Sequence, residues 1–520
     1  MKYFDKSPFY FYDKLVKCPR HLKTVFISSF IFGCISHMYI MLNISPQGDV
    51  CSAFFGYGAG YTSGRWGLSL LGNFIGRLFG NYSLPWLNGI LSILFLATAS
   101  VFIVKSFDVY NEVNCIFIGA IMVIFPSITS AFTFIFTVQY YCFSILLTCA
   151  AVYFVRKYPK GWIAGVILLA FSLGIYQAYL GVAAGFFLLF LIVDMLQSKH
   201  TIMRIFADAW KYLGVIVASV FLYFICNKIA LMITHNQLSE YMGINSMGQL
   251  PLNELQKILS RIYIEFFAPM LADRNGITQY PILRFSYLIF LLFTLYFGIR
   301  IICFVQVKRG FAAMCLVGLF LILFPFAINI IYMMCFYWVH TLMRYAMVVF
   351  YIAVIIIWEQ NKQLFFSVKR IPGVEWVITC LCMITVGSFC IQANEASLCL
   401  NQRYRQAYSY YTTVIAQIKM TEGYKADTPI AFIGEVQDST FPVIKEFDNL
   451  ENLTGIPNAY HYINMYSRNK FIEYFCGFQF PVADDIDKIK HLPQFQIMPF
   501  YPDYGSIRMI DETLVIKFGD

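Results

Sequence analysis

The feature that most constrains this chain is a succession of long apolar runs separated by short polar segments. In a helix, about 20 apolar residues cross roughly 30 Å of hydrocarbon. Runs of that kind fall near 24–43, 83–104, 114–127, 131–155, 161–175, 177–196, 211–233, 284–305, 311–333, 337–358 and 374–393. The run at 114–127 is short and ends at Pro126. The stretch over 161–196 is too long for one crossing, so it divides at Gly174-Ile175-Tyr176-Gln177. Composition agrees: 59% of the residues are hydrophobic and 13% charged, where a soluble domain carries about 25% charged. The predicted fold is an all-α polytopic membrane bundle of about eleven transmembrane helices.

Charge sets the orientation. Lys2, Lys6, Lys14, Lys17, Arg20 and Lys23 precede the first run, which lacks a small-x-small cleavage site and reads as a retained helix. With the N-terminus inside, the inner segments hold 18 Lys and Arg, among them Lys105, Arg156, Lys157, Lys308 and Arg309. The outer loops before the tail hold six: Arg65, Arg77, Lys257, Arg261, Arg274 and Arg284. That bias predicts an N-in, C-out multi-pass membrane protein. It also argues against nucleic acid as the partner of the +9 net charge, because the basic residues are spread over short loops. The fifteen cysteines form no CxxC pair and no Cys/His metal spacing, so no metal or cofactor is expected. Reduced thiols are the default, and Cys399 with Cys476 is the pair a disulfide would take.

Two domains are expected: a transmembrane part over 1–393, with outer loops at 44–82 and 234–283, and an extracytoplasmic α/β domain over 394–520. The tail reads as helix at 394–420 and as strand at Ile430–Ile433 and Leu514–Phe518. Within the first loop, Leu68 to Phe79 is an amphipathic stretch of the kind that lies in the membrane interface.

Large loops on one side place the chemistry there. Asp49 is the sole acid between residues 14 and 107. It is either a general base for an acceptor hydroxyl or a helix-capping loop acid. Arg65 suits a phosphate, since its planar fork binds oxyanions, and Trp66 suits either substrate or the interface. His340 and Arg344 are four apart, so a helix sets them on one face of the tenth span. A charge within a span needs a partner or a polar cavity. No acid lies near Arg344 in sequence, which makes a phosphate its candidate partner and snorkelling to the interface the other reading. Gln139, Tyr176 and Gln177 are placed to bind sugar hydroxyls or to bond between helices. Glu265 and Asp273 rival Asp49 as the base. There is no Walker loop, no glycine-rich dinucleotide turn and no HExxH.

The order Gly48-Asp49, Thr62-Ser63-Gly64-Arg65-Trp66, Phe125-Pro126 and Gly174-Ile175-Tyr176-Gln177, followed by an outward tail, resembles the Gtr-type bacterial glucosyltransferases, which are similar to the wider GT-C glycosyltransferases. The resemblance implies transfer of a hexose, glucose by analogy, from a polyprenyl-phosphate donor to a cell-surface glycan, with inversion and no cofactor. It implies Asp49 as base, with Arg65, His340 and Arg344 on the donor phosphate. Many relatives carry two adjacent acids where this chain has one. The other readings are a polyprenyl-linked lipid transporter or flippase, and a scaffold of a wall-assembly complex.

Overall fold

The computed structural model describes residues 17–197, 200–240, 252–274, 276–335, 339–360, 373–436, 440–456 and 462–519. Lys2, Lys6, Lys14, Lys199, Trp338, Lys362, Lys369 and Arg370, used in the sequence reading, lie outside them. All eleven apolar runs form helix. In chain order the bundle is built from α1 (Arg20–Leu42), α2 (Gly48–Ser52), α3 (Trp66–Phe79), α4 (Pro85–Phe107), α5 (Glu112–Ile124), α6 (Pro126–Phe132), α7 (Val138–Lys157), α8 (Gly161–Ile175), α9 (Leu180–Gln197), α10 (Ile202–Thr234), α11 (Leu255–Phe267), α12 (Pro281–Arg309), α13 (Phe311–Ile328), α14 (Ile331–Met334), α15 (Val348–Gln360) and α16 (Val374–Met420). Among the described residues, nine helices are long and apolar enough to cross a membrane, and ten if the bent pair α5–α6 counts as one. Helix α8 is apolar but has only 15 residues. The protein is thus a multi-pass membrane protein.

Burial separates the helices into two kinds. Helices α9 and α15 are buried on nearly every side and form the centre. Helices α10 and α12 leave large apolar side chains uncovered, with Phe221 67%, Ile233 73% and Leu295 61% exposed. In water such patches would drive aggregation; in a bilayer they meet lipid. Around the centre, α1 packs on α4, α5 and α16, α7 on α4 and α8, and α9 on α13. Helix α3 realises the amphipathic stretch: Gly67, Leu68, Ser69 and Gly72 face protein, and Leu70, Phe74, Leu78 and Phe79 face outward.

The helices break where the sequence dictates, and each break has a partner for the backbone it frees. Pro126 has no N–H, so the carbonyl of Met122 loses its helical donor and the chain bends by 41°. The Tyr345 hydroxyl donates to that carbonyl at 2.8 Å, and His37 Nε2 lies 3.1 Å from the next, that of Val123. Asn88 Nδ2 donates to the Ile135 carbonyl in the following turn. Hydrocarbon offers no water for such groups, so these side chains are what permit the breaks.

Helix α16 runs through one expected division. The eleventh span and the polar stretch at 394–420 form one helix of 47 residues, about 70 Å long, with no boundary at 393. No Gly or Pro interrupts Gln392-Ala393-Asn394-Glu395, so the composition changes while the helix continues. At its end stands a three-stranded sheet, β1 (Ile430–Ile433), β2 (Ile507–Ile510) and β3 (Thr513–Lys517), in the order β1-β3-β2. Both predicted strands are present and pair in parallel, Ile430 opposite Leu514. A helix preceding β2, α17 (Met465–Tyr474), joins this unit to the bundle, since α2 packs against it. Cys399 and Cys476 are free thiols and form no disulfide.

At the other end of the bundle Arg156 grips Asp194 through two 2.6 Å hydrogen bonds, and the carboxylate is 2% exposed. Removing one partner of a buried pair strands the other. Asp194→Ala is expected to cost about 3–5 kcal/mol, read as a lowered thermal midpoint in detergent. Glu359→Ala, whose partners are exposed backbone amides of Tyr110 and Asn111, should cost less.

Candidate functional site

Three segments without regular α-helix meet at one end of the bundle. They are the first long loop, the turn Gln177–Tyr179, and the 3₁₀ segment Thr341–Met347, which touches that turn. Irregular backbone at this depth persists where it is enclosed in protein or lines a cavity.

Arg65 stands at the centre of the first group. It follows a 3₁₀ turn, Tyr61–Ser63, that closes at Gly64 with φ +68°. Glycine takes that conformation freely, and a Cβ there would sit 2.7 Å from the Tyr223 hydroxyl. The turn is held from both sides: Gln177 Nε2 donates to the Ser63 carbonyl at 3.0 Å, and the Tyr223 hydroxyl donates to the Gly64 carbonyl at 3.0 Å. Trp66 then packs edge-on to Phe171 and so closely on Gly174 that a Cβ would lie 2.5 Å from the indole. The guanidinium so placed donates to the Tyr141 hydroxyl at 3.0 Å and lies 5.0 Å from the Tyr176 ring centre. Tyr141 and Tyr176 stack at 4.4 Å. Its Nε is buried with no acceptor, and no carboxylate pairs with it among the described residues. This is a half-buried cation in a tyrosine cage with bonding capacity to spare, an arrangement that favours an anionic ligand.

Asp49 occupies the second group, on helix α2. Its backbone N–H is capped by Gln47 Oε1 at 2.9 Å. Gly48 rests against Ser467 and Asn464 at the start of α17, and Phe54 meets Phe475 at 5.2 Å. The carboxylate reaches solvent, and it has no hydrogen-bond or ion-pair partner among the described residues. The protein packed around it removes enough water to hold its pKa above the ordinary carboxylate range.

Arg344 corrects the sequence reading. It is 2% exposed and already has an acid: Glu265, on α11, lies 3.7 Å from Nη1, and the Glu265 backbone carbonyl accepts from Nη2 at 2.8 Å. Tyr332 lies under both Arg344 and Arg261, at 5.9 and 5.3 Å. The partner assigned to a phosphate is therefore a carboxylate far away in sequence. Nor do His340 and Arg344 share an α-helical face. The backbone is extended at His340, the next seven residues are 3₁₀, and Arg344 itself has φ −95°, ψ 16°. With three residues per turn, positions four apart do not align. Thr341 is tied instead to the C-terminal unit, its amide to the Thr454 hydroxyl and its own hydroxyl to the Asn452 carbonyl.

The remaining expectations divide. Arg65, Trp66, Tyr176 and Gln177 are brought together. Gln177 is 7% exposed and spends its amide on the loop and on Tyr223, so it positions Arg65 and presents no free donor. Gln139 bonds weakly to the Phe136 carbonyl at 3.4 Å, apart from that group. His340 is half-buried with no partner for its ring among the described residues. Both rivals of Asp49 are engaged, Glu265 by Arg344 and Asp273 by the Thr278 amide. Sequence reasoning missed Tyr141 and Tyr223, which no motif marks within their apolar helices. It also passed over Asp485-Ile486-Asp487, a DxD spacing. There each exposed carboxylate pairs with a lysine three residues on, Lys488 and Lys490, in a short surface helix. No group of three or more His, Cys, Asp or Glu able to hold a metal occurs among the described residues.

A family model described as Glucosyl transferase GtrII matches residues 38–355, more than half of the chain. No curated protein and no solved structure matches. The matched region contains Asp49, Arg65 and the tyrosines around Arg65, and it ends inside α15.

The Arg344–Glu265 contact makes its own prediction. Glu265→Ala leaves a guanidinium buried without its counter-ion and is expected to destabilise by about 3–5 kcal/mol. Adding Arg344→Met should restore most of that loss. A double-mutant cycle by thermal unfolding measures it, and additive losses would show the two side chains to be uncoupled.

Proposed function

The chain belongs to the GtrII glucosyl transferase family, and from that premise we propose that it transfers a hexose from a polyprenyl-phosphate donor to a cell-surface glycan at the outer membrane face. One observation carries the assignment of roles: of the acids considered for the base, Asp49 is the one that reaches solvent without a partner among the described residues, whereas Glu265 and Asp273 are engaged.

The reaction is one displacement. The acceptor hydroxyl oxygen attacks the anomeric carbon as the bond from that carbon to the phosphate oxygen breaks, which inverts the centre. Asp49 takes the hydroxyl proton, and a carboxyl of raised pKa is the stronger base once ionised. The departing polyprenyl phosphate gains negative charge, and Arg65 receives it in a cage whose tyrosines cannot neutralise the guanidinium. A phosphate leaves without protonation, so no second acid is required. Trp66, Tyr176 and Gln177 hold Arg65 in place. Arg344 acts through Glu265 and Tyr332 by fixing the 3₁₀ segment beside the cage.

The outer face is supported by charge. Arg156, Lys157, Lys211 and Arg309 cluster at the far end of the bundle, where Lys157 pairs with Asp108 and Arg309 with the His200 carbonyl. Basic ends tend to stay cytoplasmic, which supports an outer position for Asp49, Arg65 and the sheet. The broken helices would also serve a lipid transporter, but membership of a glucosyl transferase family favours transfer.

Purified protein supplied with a polyprenyl-phosphate hexose and acceptor glycan should form the glycoside. Asp49→Asn is expected to lower kcat by about 10²–10⁴ with donor still bound. In the wild type, kcat/KM should fall as pH drops through a carboxyl pKa above the ordinary range, because the protonated acid cannot accept a proton; this limb should vanish in Asp49→Asn. Undiminished transfer by Asp49→Asn would remove Asp49 as base. Arg65→Met should weaken donor binding by about 1.5–3 kcal/mol, measured as a raised donor KM.

A further inference from the structure

Away from Asp49 and Arg65, the polar end of α16 forms one wall of a cavity of about 610 Å³. Arg405, Ser409 and Thr413 line it, spaced four apart on one helical face. Tyr410 and Tyr501 line it from the aromatic side, with Thr440 at the rim. The two tyrosine rings stand at 87° with centres 5.5 Å apart. Neither can fold away: Tyr410 is braced by Phe441 at 5.2 Å, and Tyr501 by Phe518 at 5.7 Å. Among the described residues, neither tyrosine hydroxyl has a hydrogen-bond partner and the Arg405 guanidinium has no ion pair.

We propose that this cavity is a binding subsite for the acceptor glycan, several sugars away from the one that is modified. The inference rests on the glycosyl-transfer reading above. A pyranose offers an apolar C–H face and a rim of hydroxyls. Fixed aromatic rings match the first, and unspent hydroxyl and guanidinium groups match the second. The volume lies in the range of ligand sites, about 300–1,000 Å³. One cation and no acid in the lining suit a neutral or anionic glycan. Location points the same way. Arg405 stands about 18 Å further along α16 than Ala393, at 1.5 Å per residue. A subsite there engages a polymer and leaves a single sugar untouched.

The test uses full-length protein in nanodiscs, with Ser409→Trp to fill the cavity and Tyr501→Ala to remove one ring. Ser409 is exposed, so its replacement leaves packing intact. The probes are the purified surface polysaccharide of the producing cell, fluorescently labelled, and a monosaccharide glycoside as short acceptor. Both variants should bind the polysaccharide about tenfold more weakly and raise its KM to match, with kcat and the short-acceptor KM unchanged. Wild-type affinity for the polysaccharide in both variants overturns the proposal, as does absence of polysaccharide binding by the wild type. A parallel rise in KM for the short acceptor also overturns it, since that reports a general structural defect. Polysaccharide binding that is lost in the variants, by a wild type that transfers no sugar, keeps the subsite and sinks the transfer reading instead.

Discussion

A carbonyl that loses its helical donor inside hydrocarbon has no water to turn to, and the rest of this structure depends on how that problem is solved at Pro126. The proline frees Met122, and the hydroxyl that answers it belongs to Tyr345, in the 3₁₀ segment of a distant span. That one bond ties two irregular segments together across the centre of the bundle. From there a run of tyrosines continues outward, Tyr345 to Tyr179 at 5.9 Å, Tyr179 to Tyr176 at 5.2 Å, and Tyr176 to Tyr141 at 4.4 Å. The run ends at Arg65. The group that makes the break at Pro126 tolerable is thus linked by ring contacts to the groups that cage the cation, so backbone satisfaction and site geometry are connected.

Two arginines at this end of the bundle illustrate how differently a charge can be held. Arg344 is sealed by Glu265, a backbone carbonyl and the face of Tyr332, which makes it part of the framework. Arg65 has only hydroxyl and π-electron partners, and part of its hydrogen-bonding capacity is unspent. A buried ion pair has satisfied itself and gains little from a further anion, whereas an uncompensated cation gains much. The contrast shifts the phosphate-binding role towards Arg65. It also explains why two arginines of equal sequence interest have unequal chemical prospects.

What was legible in the sequence follows from what is local. Among the described residues, apolar length gave the positions of the nine helices long and apolar enough to cross a membrane, because lipid favours helix for such runs. Pro126 and Gly174-Ile175-Tyr176-Gln177 gave the breaks, because proline chemistry and polar side chains interrupt a span wherever they occur. The β-branched runs gave β1 and β3. What stayed hidden depended on residues far apart in the chain. Glu265 meets Arg344 across 79 residues, and Tyr141 meets Arg65 across 76. The α-helical face assumed for His340 and Arg344 failed for a related reason: the 3₁₀ backbone there is held by Asn452 and Thr454, over 100 residues later. The helix runs on past 393 because the sequence there turns polar without gaining a Gly or Pro to end it.

The extent of the family match sharpens the division of labour. Residues 38–355 hold Asp49, Arg65 and the tyrosine cage, and the match ends before α16 begins. Yet α16 and the sheet do not merely follow the matched region. They seat Asp49, through the contact of α2 with α17, and they anchor the 3₁₀ segment through Thr341. The same unit carries the cavity proposed above as a glycan subsite. If chemistry resides in the matched bundle and acceptor recognition in the unit beyond it, the two are coupled through contacts at Gly48 and Thr341. A polymer gripped by the outer unit would then be presented to Asp49 by the element that holds Asp49 in place, which converts binding far from the reacting hydroxyl into orientation at it.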